Sequence, residues 1–172
     1  QSFATATGAQ ETMNSKKSMN RLTPLAALAL FAVGCVQFVP QRPYNFAAVA
    51  EANKATQVIV RTLGGQGHQA SPVAEGLIST TWERVREWDT GTLAGVYLVR
   101  YTVALTQGNS KALAVSVQMD MRHCPLGTNS LEDPVATACP RPQSVWAEDQ
   151  QRVDQIGRSL EEALKIQGLL NE

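Results

Sequence analysis

The chain has 172 residues, 15 Lys plus Arg against 15 Asp plus Glu, and a hydrophobic content of 44%. This balance, with no basic run and no interleaving of basic and aromatic residues, argues against nucleic acid as a partner. Three cysteines and two histidines fall short of the motif spacing a zinc site needs, so no metal and no cofactor is expected.

Residues 1–18 read as an upstream or start region, expected to be disordered. Translation would begin at Met13 or Met19, and residues 1–12 carry no apolar pattern. Residues 19–34 form a three-part signal segment. Lys16, Lys17 and Arg21 give the basic start, an apolar run covers 25–33, and the segment ends in small residues and a cysteine, Ala32-Val33-Gly34-Cys35. The apolar run is too short to span a bilayer as a helix, which takes about 20 residues.

The end of this segment resembles the lipobox of bacterial lipoproteins, with Ala32 standing where that family most often carries leucine. The resemblance implies that the Cys35 thiol receives a diacylglycerol and that cleavage before it exposes an amine that is also acylated. Two or three acyl chains suffice for stable anchoring, at about 0.8 kcal/mol per buried methylene. Val36 follows the cysteine. By the same resemblance, a residue other than aspartate there favours the outer membrane, with the body in the periplasm.

Cutting before Cys35 leaves 12 Lys plus Arg and 14 Asp plus Glu, a formal charge of −2. This is one domain by length. Residues 35–44 are expected to be a lipid-anchored tether, spanning roughly 25 Å between Val36 and Pro43 if extended, and residues 45–172 a single domain.

Within that domain a helix is predicted over 46–63, capped by Asn45, with Ala48, Ala52, Ala55, Ile59 and Leu63 on one stripe. Gly64 and Gly65 end it. Residues 64–72, rich in Gly and Gln, read as a flexible connector. Three strands follow, over 76–88, 95–105 and 111–122. In the first, Ile78 and Trp82 share the core face. In the second, Tyr97, Val99, Tyr101, Val103 and Leu105 alternate with Arg100 and Thr102. In the third, Leu113, Val115, Val117, Met119 and Met121 alternate with Ser116, Gln118 and Asp120. One apolar and one polar face mark an antiparallel sheet. A last helix is predicted to begin near Ser144, with Trp146, Val153, Ile156, Leu160 and Leu164 as its stripe. Gly157 either weakens its middle or lets it pack closely on a neighbour.

The expected fold class is therefore α+β: a two-layer sandwich of an antiparallel sheet of three strands, or four, with the N- and C-terminal helices on one face. The order of elements over about 45–170 loosely resembles small α+β envelope-assembly lipoproteins. It does so without a diagnostic motif, and no site residue is carried over.

Cys124 and Cys139 remain as a pair once Cys35 goes to lipid. They read as a disulfide, which suits an oxidising compartment; two free thiols, or a metal or catalytic role beside His123, are the other readings. No catalytic set stands out, and His68 in its Gly-rich loop reads as exposed. Trp88 at a strand end, near Arg84, Arg86 and Arg100, is a possible partner surface, because Trp and Arg dominate binding hot spots. The other reading is that Trp88 simply ends the core. The function expected is a non-enzymatic binding or scaffold component of an envelope or outer-membrane assembly process, with a membrane and an envelope protein as partners. The alternatives are a carrier of a lipid or small apolar ligand, and a small periplasmic enzyme. A cleft joining His68 or His123 to a carboxylate would favour the enzyme.

Overall fold

The computed structural model describes residues 37–108, 112–127 and 139–170. The signal segment, Cys35 and most of the loop between Cys124 and Cys139 lie outside the described residues. The described residues are α+β, with two α-helices, a short 3-10 turn at Gly91–Leu93 and a six-stranded sheet. The strands and α-helices are β1 (Phe38–Val39), β2 (Tyr44–Val49), α1 (Ala52–Gly65), β3 (Ala70–Ala74), β4 (Leu77–Thr80), β5 (Glu83–Trp88), β6 (Gly95–Gln107), β7 (Ala112–Cys124), β8 (Val145–Trp146) and α2 (Ala147–Ile166). The sheet runs β2-β7-β6-β4-β3, and β5 also pairs β6; β1 and β8 form a separate two-stranded ribbon. Every pairing is antiparallel.

The hairpin β6–β7 is the frame. Its register runs from Val96 opposite Cys124 to Gln107 opposite Leu113. The predicted alternation holds along both strands. Tyr97, Val99, Tyr101, Val103 and Leu105 join Leu113, Val115, Val117, Met119 and Met121 in the main core, together with Ala55, Ile59 and Leu63 of α1 and Val153, Ile156, Leu160 and Leu164 of α2. Burying a side chain of this size contributes about 1.5–3 kcal/mol, so this shared face is the main source of stability.

The sheet has six strands rather than three or four, for three local reasons. Residues 44–49 form β2 instead of the first turn of a helix. Tyr44, Phe46 and Ala48 point inward with a period of two, and β2 pairs β7 from Tyr44 opposite Val117 to Val49 opposite Ala112. A short apolar run fits either period, and the open edge of β7 decides it. Helix α1 therefore starts at Ala52, after Glu51 rather than Asn45.

The expected strand over 76–88 is one path along β6, broken into β4 and β5 by a shift of register. Leu77 to Ser79 pair Ala104 to Thr102, whereas Glu83 pairs Val99. At the break Thr80 Oγ1 accepts the Tyr101 N–H at 2.9 Å, in place of a ladder carbonyl. Finally, Ala70–Ala74, read as the end of a connector, is the edge strand β3. Pro72 lies in it, which an edge tolerates because no neighbour needs its missing N–H. The β3–β4 turn needs Gly76, whose φ is +67° and whose carbonyl accepts the Leu105 N–H at 2.7 Å.

Two further segments differ from expectation. Residues 37–43 are not a free spacer. β1 pairs β8, the Gln37 carbonyl accepts the Ala147 N–H at 2.9 Å, and Phe38 packs on Trp146 with ring centroids 5.3 Å apart. Helix α2 begins after Trp146 rather than at Ser144, because Val145 and Trp146 are held extended in that ribbon.

Candidate functional site

The outer face of the β6–β7 hairpin, opposite the main core, divides into an apolar end and a charged middle. At the apolar end Trp82, Val96, Leu98, Cys124 and Cys139 form a second, smaller core. Trp82 is buried as expected but does not join the cluster that holds Ile78, because the break after Thr80 turns the chain there. Cys124 and Cys139 are disulfide-bonded, with Cα atoms 4.7 Å apart. The bond fixes the segment after Cys139 over this face. The His123 N–H donates to the Pro140 carbonyl at 3.0 Å, and Arg122 Nη1 donates to the Cys139 carbonyl at 3.2 Å.

In the charged middle, Arg100 of β6 lies directly opposite Asp120 of β7. Asp120 is only 7% exposed, and three guanidinium groups converge on it. Arg100 Nη2 reaches its Oδ2 at 3.3 Å, Arg122 Nε its Oδ1 at 3.1 Å, and Arg141 Nε its Oδ1 at 2.9 Å. The Arg100 guanidinium lies 4.6 Å from the centre of the Trp82 ring, a cation–π contact that fixes its plane. Its Nε is buried without a hydrogen-bond partner. Beside it the crossing segment Gln41–Pro43 walls a cleft of about 290 Å³, lined also by Thr102, Gln118, Asp120 and Arg141. The Gln41 side-chain amide donates to the Met119 carbonyl, which holds that wall against β7 where β2 has ended.

A second cleft, of about 440 Å³, lies where the end of α1, the start of β5 and the middle of α2 meet. It is lined by Gln66, His68, Glu83, Tyr101, Arg152 and Gln155. His68 Nδ1 is 2.7 Å from Glu83 Oε1. An ionised Glu83 only accepts, so Nδ1 carries the hydrogen. The His68 ring meets Tyr101 edge-on at 5.1 Å, and burial pushes the Tyr101 hydroxyl's pKa up. His68 is thus partly buried and paired rather than exposed. His123 is occupied structurally: it stacks on Tyr97 at 4.4 Å, and its Nε2 lies 3.0 Å from the Ala94 carbonyl.

The four residues of the expected partner surface divide between the two faces of the sheet, Arg84 and Arg100 on the outer face and Arg86 and Trp88 on the other. Trp88 is 40% exposed, at the end of β5. Arg86 points to the helix side, where it pairs with Glu148 and Asp149 and lies 4.3 Å from the centre of the Trp146 ring. Arg84 pairs with Glu87 at 3.0 Å, and its strand partner is Leu98, of the opposite face. Arg100 is in the charged middle described above. The register shift between Arg84 and Arg86 separates them, a feature that a strict period of two cannot anticipate. What the sequence reading missed is Arg141 beside Asp120. Its only local signal is its place two residues after a disulfide cysteine.

No family model matches the sequence, and no curated protein matches it. Among solved structures, a DUF4468 family protein from Bacteroides ovatus overlays with a TM-score of 0.36 and 9% identity, covering 76% of this chain and 91% of that one. A likeness of that strength is no basis for transferring family or function.

Proposed function

We propose that this chain is a lipid-anchored protein of the cell envelope, held at the outer membrane through Cys35 with its body in the periplasm. There it serves as a non-enzymatic binding or scaffold component of an envelope or outer-membrane assembly process. The observation that carries the reading is the basic start, apolar run and Ala32-Val33-Gly34-Cys35 ending. Two features of the body agree with it. The Cys124–Cys139 disulfide suits an oxidising compartment. Phe38, in the β1–β8 ribbon, is three residues after Cys35, so an acyl anchor on Cys35 would keep this strand within about 10 Å of its attachment point along the chain. Anchoring raises the effective concentration of the domain for a partner in the same membrane. The body is taken as a two-layer sandwich, supported by both helices sharing one core with alternate residues of β6 and β7.

The test is fractionation of cells expressing the full chain and its Cys35→Ala variant. The wild type is expected in the outer-membrane fraction and the variant in the soluble fraction; a variant that stays with the membrane refutes the anchor.

One observation favours a second reading, a small periplasmic enzyme: the His68–Glu83 pair in an open cleft, with the imidazole Nε2 left to act as a base. Turnover of chromogenic ester or phosphoester substrates that is abolished in His68→Ala would displace the binding reading. The ligand-carrier reading would need an enclosed apolar cavity; the two clefts described, and two more apolar ones beside Val60 and Ala70 and beside Val39 and Ala147, are all open to solvent.

A further inference from the structure

We propose that the cleft between Gln41–Pro43 and the outer face of β6–β7 binds a phosphate monoester, with Arg100 and Arg141 as its ligands. The inference rests on the binding part of the reading above and not on the lipid anchor. Three guanidinium groups meet one carboxylate at Asp120, which leaves two uncompensated positive charges on a partly desolvated surface. Among the described residues, no second carboxylate pairs with Arg100, Arg122 or Arg141. Like charges held this close repel unless an anion joins them, and Asp120 alone is too little.

The free donors point the same way. Each nitrogen of Arg122 has an acceptor, Nε and Nη2 on Asp120 and Nη1 on the Cys139 carbonyl. Arg141 gives only its Nε to Asp120 and is 67% exposed, so among the described residues both of its outer nitrogens have no acceptor. Arg100 gives Nη2 to Asp120 and, among the described residues, its Nη1 has no acceptor, while its Nε is buried out of a ligand's reach. Asp120 and the Trp82 face hold the Arg100 guanidinium in a fixed plane, and Asp120 anchors Arg141 by its Nε, a preorganisation that favours forked recognition of a tetrahedral oxyanion.

A phosphate monoester, carrying about −1.5 to −2 at neutral pH, matches the residual charge; a single carboxylate does not. The cleft's 290 Å³ exceeds what the phosphate needs, and Gln41, Thr102 and Gln118 line the remainder. Their amides and hydroxyl suit a small polar group esterified to the phosphate, such as a polyol or sugar. The disulfide has a role in this site, because it fixes the chain two residues before Arg141.

The test is titration calorimetry of the full chain at low salt with inorganic phosphate and with glycerol phosphate, repeated on Arg141→Gln and Arg100→Gln. Arg141 is exposed, so its variant is expected to fold normally and keeps the test decisive if Arg100→Gln does not. Saturable binding is expected, with Kd below about 1 mM, weakened about tenfold or more in Arg141→Gln. Vesicles of phosphatidylcholine with and without phosphatidate then separate the two sources of this chemistry. Arg141-dependent sedimentation with phosphatidate assigns a lipid headgroup; binding of the soluble esters alone assigns a free phosphorylated ligand. Absence of saturable binding to any of these probes, or binding unchanged in both arginine variants, overturns the proposal.

Discussion

Gly157 lies in the middle of α2, where alanine would ordinarily be the better residue by about 0.8–1 kcal/mol. Here the opposite is expected. A Cβ added at Gly157 would come within 2.9 Å of the Tyr44 Cβ, and nearer still to the first ring atoms. These atoms sit at the root of the side chain, so rotation about its bonds does not clear them. The ring is also held at its far end, because the Tyr44 hydroxyl donates to Glu161 Oε2 at 2.7 Å, and its backbone is registered opposite Val117. Overpacking costs about 1–3 kcal/mol. A contact with root atoms belongs in the upper half of that range, and subtracting the helix-propensity gain leaves Gly157→Ala destabilising by about 1–2 kcal/mol. For a domain of this size that is a fall in Tm of roughly 2–8 °C. Urea unfolding followed by circular dichroism measures it, in the wild-type background and in Tyr44→Ala. In the second background the ring is gone and only the Cβ contact at 2.9 Å stays, so Gly157→Ala is expected to cost clearly less than in the wild type. A raised midpoint in the wild-type background, or equal effects in both, would show that the helix–strand contact does not constrain this position.

Two other expectations follow from single groups. Asp149 is 1% exposed and depends on Arg86, with Arg152 no nearer than 4.0 Å. Arg86→Ala is therefore expected to lower stability by about 3 kcal/mol, the cost of a buried charge left without its partner, and adding Asp149→Ala is expected to restore most of it. A loss under about 1 kcal/mol in urea unfolding would mean that water already solvates Asp149. All three tyrosines have hydroxyl pKa values raised above 10, Tyr97 and Tyr101 by burial and Tyr44 chiefly by its bond to Glu161. A folded pKa above the unfolded one means that the folded state keeps its proton longer. The stabilisation is complete below about pH 10 and is lost as pH rises through the folded values. Ultraviolet titration is expected to show little tyrosinate until the alkaline unfolding transition; ionisation near pH 10 with circular dichroism unchanged would contradict this.

The antiparallel β6–β7 pair and the core stripe of α2 were legible in the sequence because each depends on periodicity within a single element. Alternation over a dozen residues sets which side chains share a face whatever the neighbours do. For the same reason Arg100, Thr102, Gln118 and Asp120 could be placed together on the polar face before any fold was known. The Cys124–Cys139 bond was legible by arithmetic once Cys35 was set aside.

Everything that turned on pairing between distant segments was decided by the tertiary structure. Tyr44–Val49 carries apolar spacing that suits a helix, and the free edge of β7 makes it a strand. The register shifts in β4–β5 send Arg84 and Arg86 to different faces, which no count along the chain reveals. His68 meets Glu83 only because the end of α1 and the start of β5 converge over the main core, and Arg141 reaches Asp120 only because a disulfide returns the chain to β7. Local side-chain geometry is written in the sequence at short range. Strand pairing is a choice among competing hydrogen-bond partners, and only the assembled sheet and its edges make that choice.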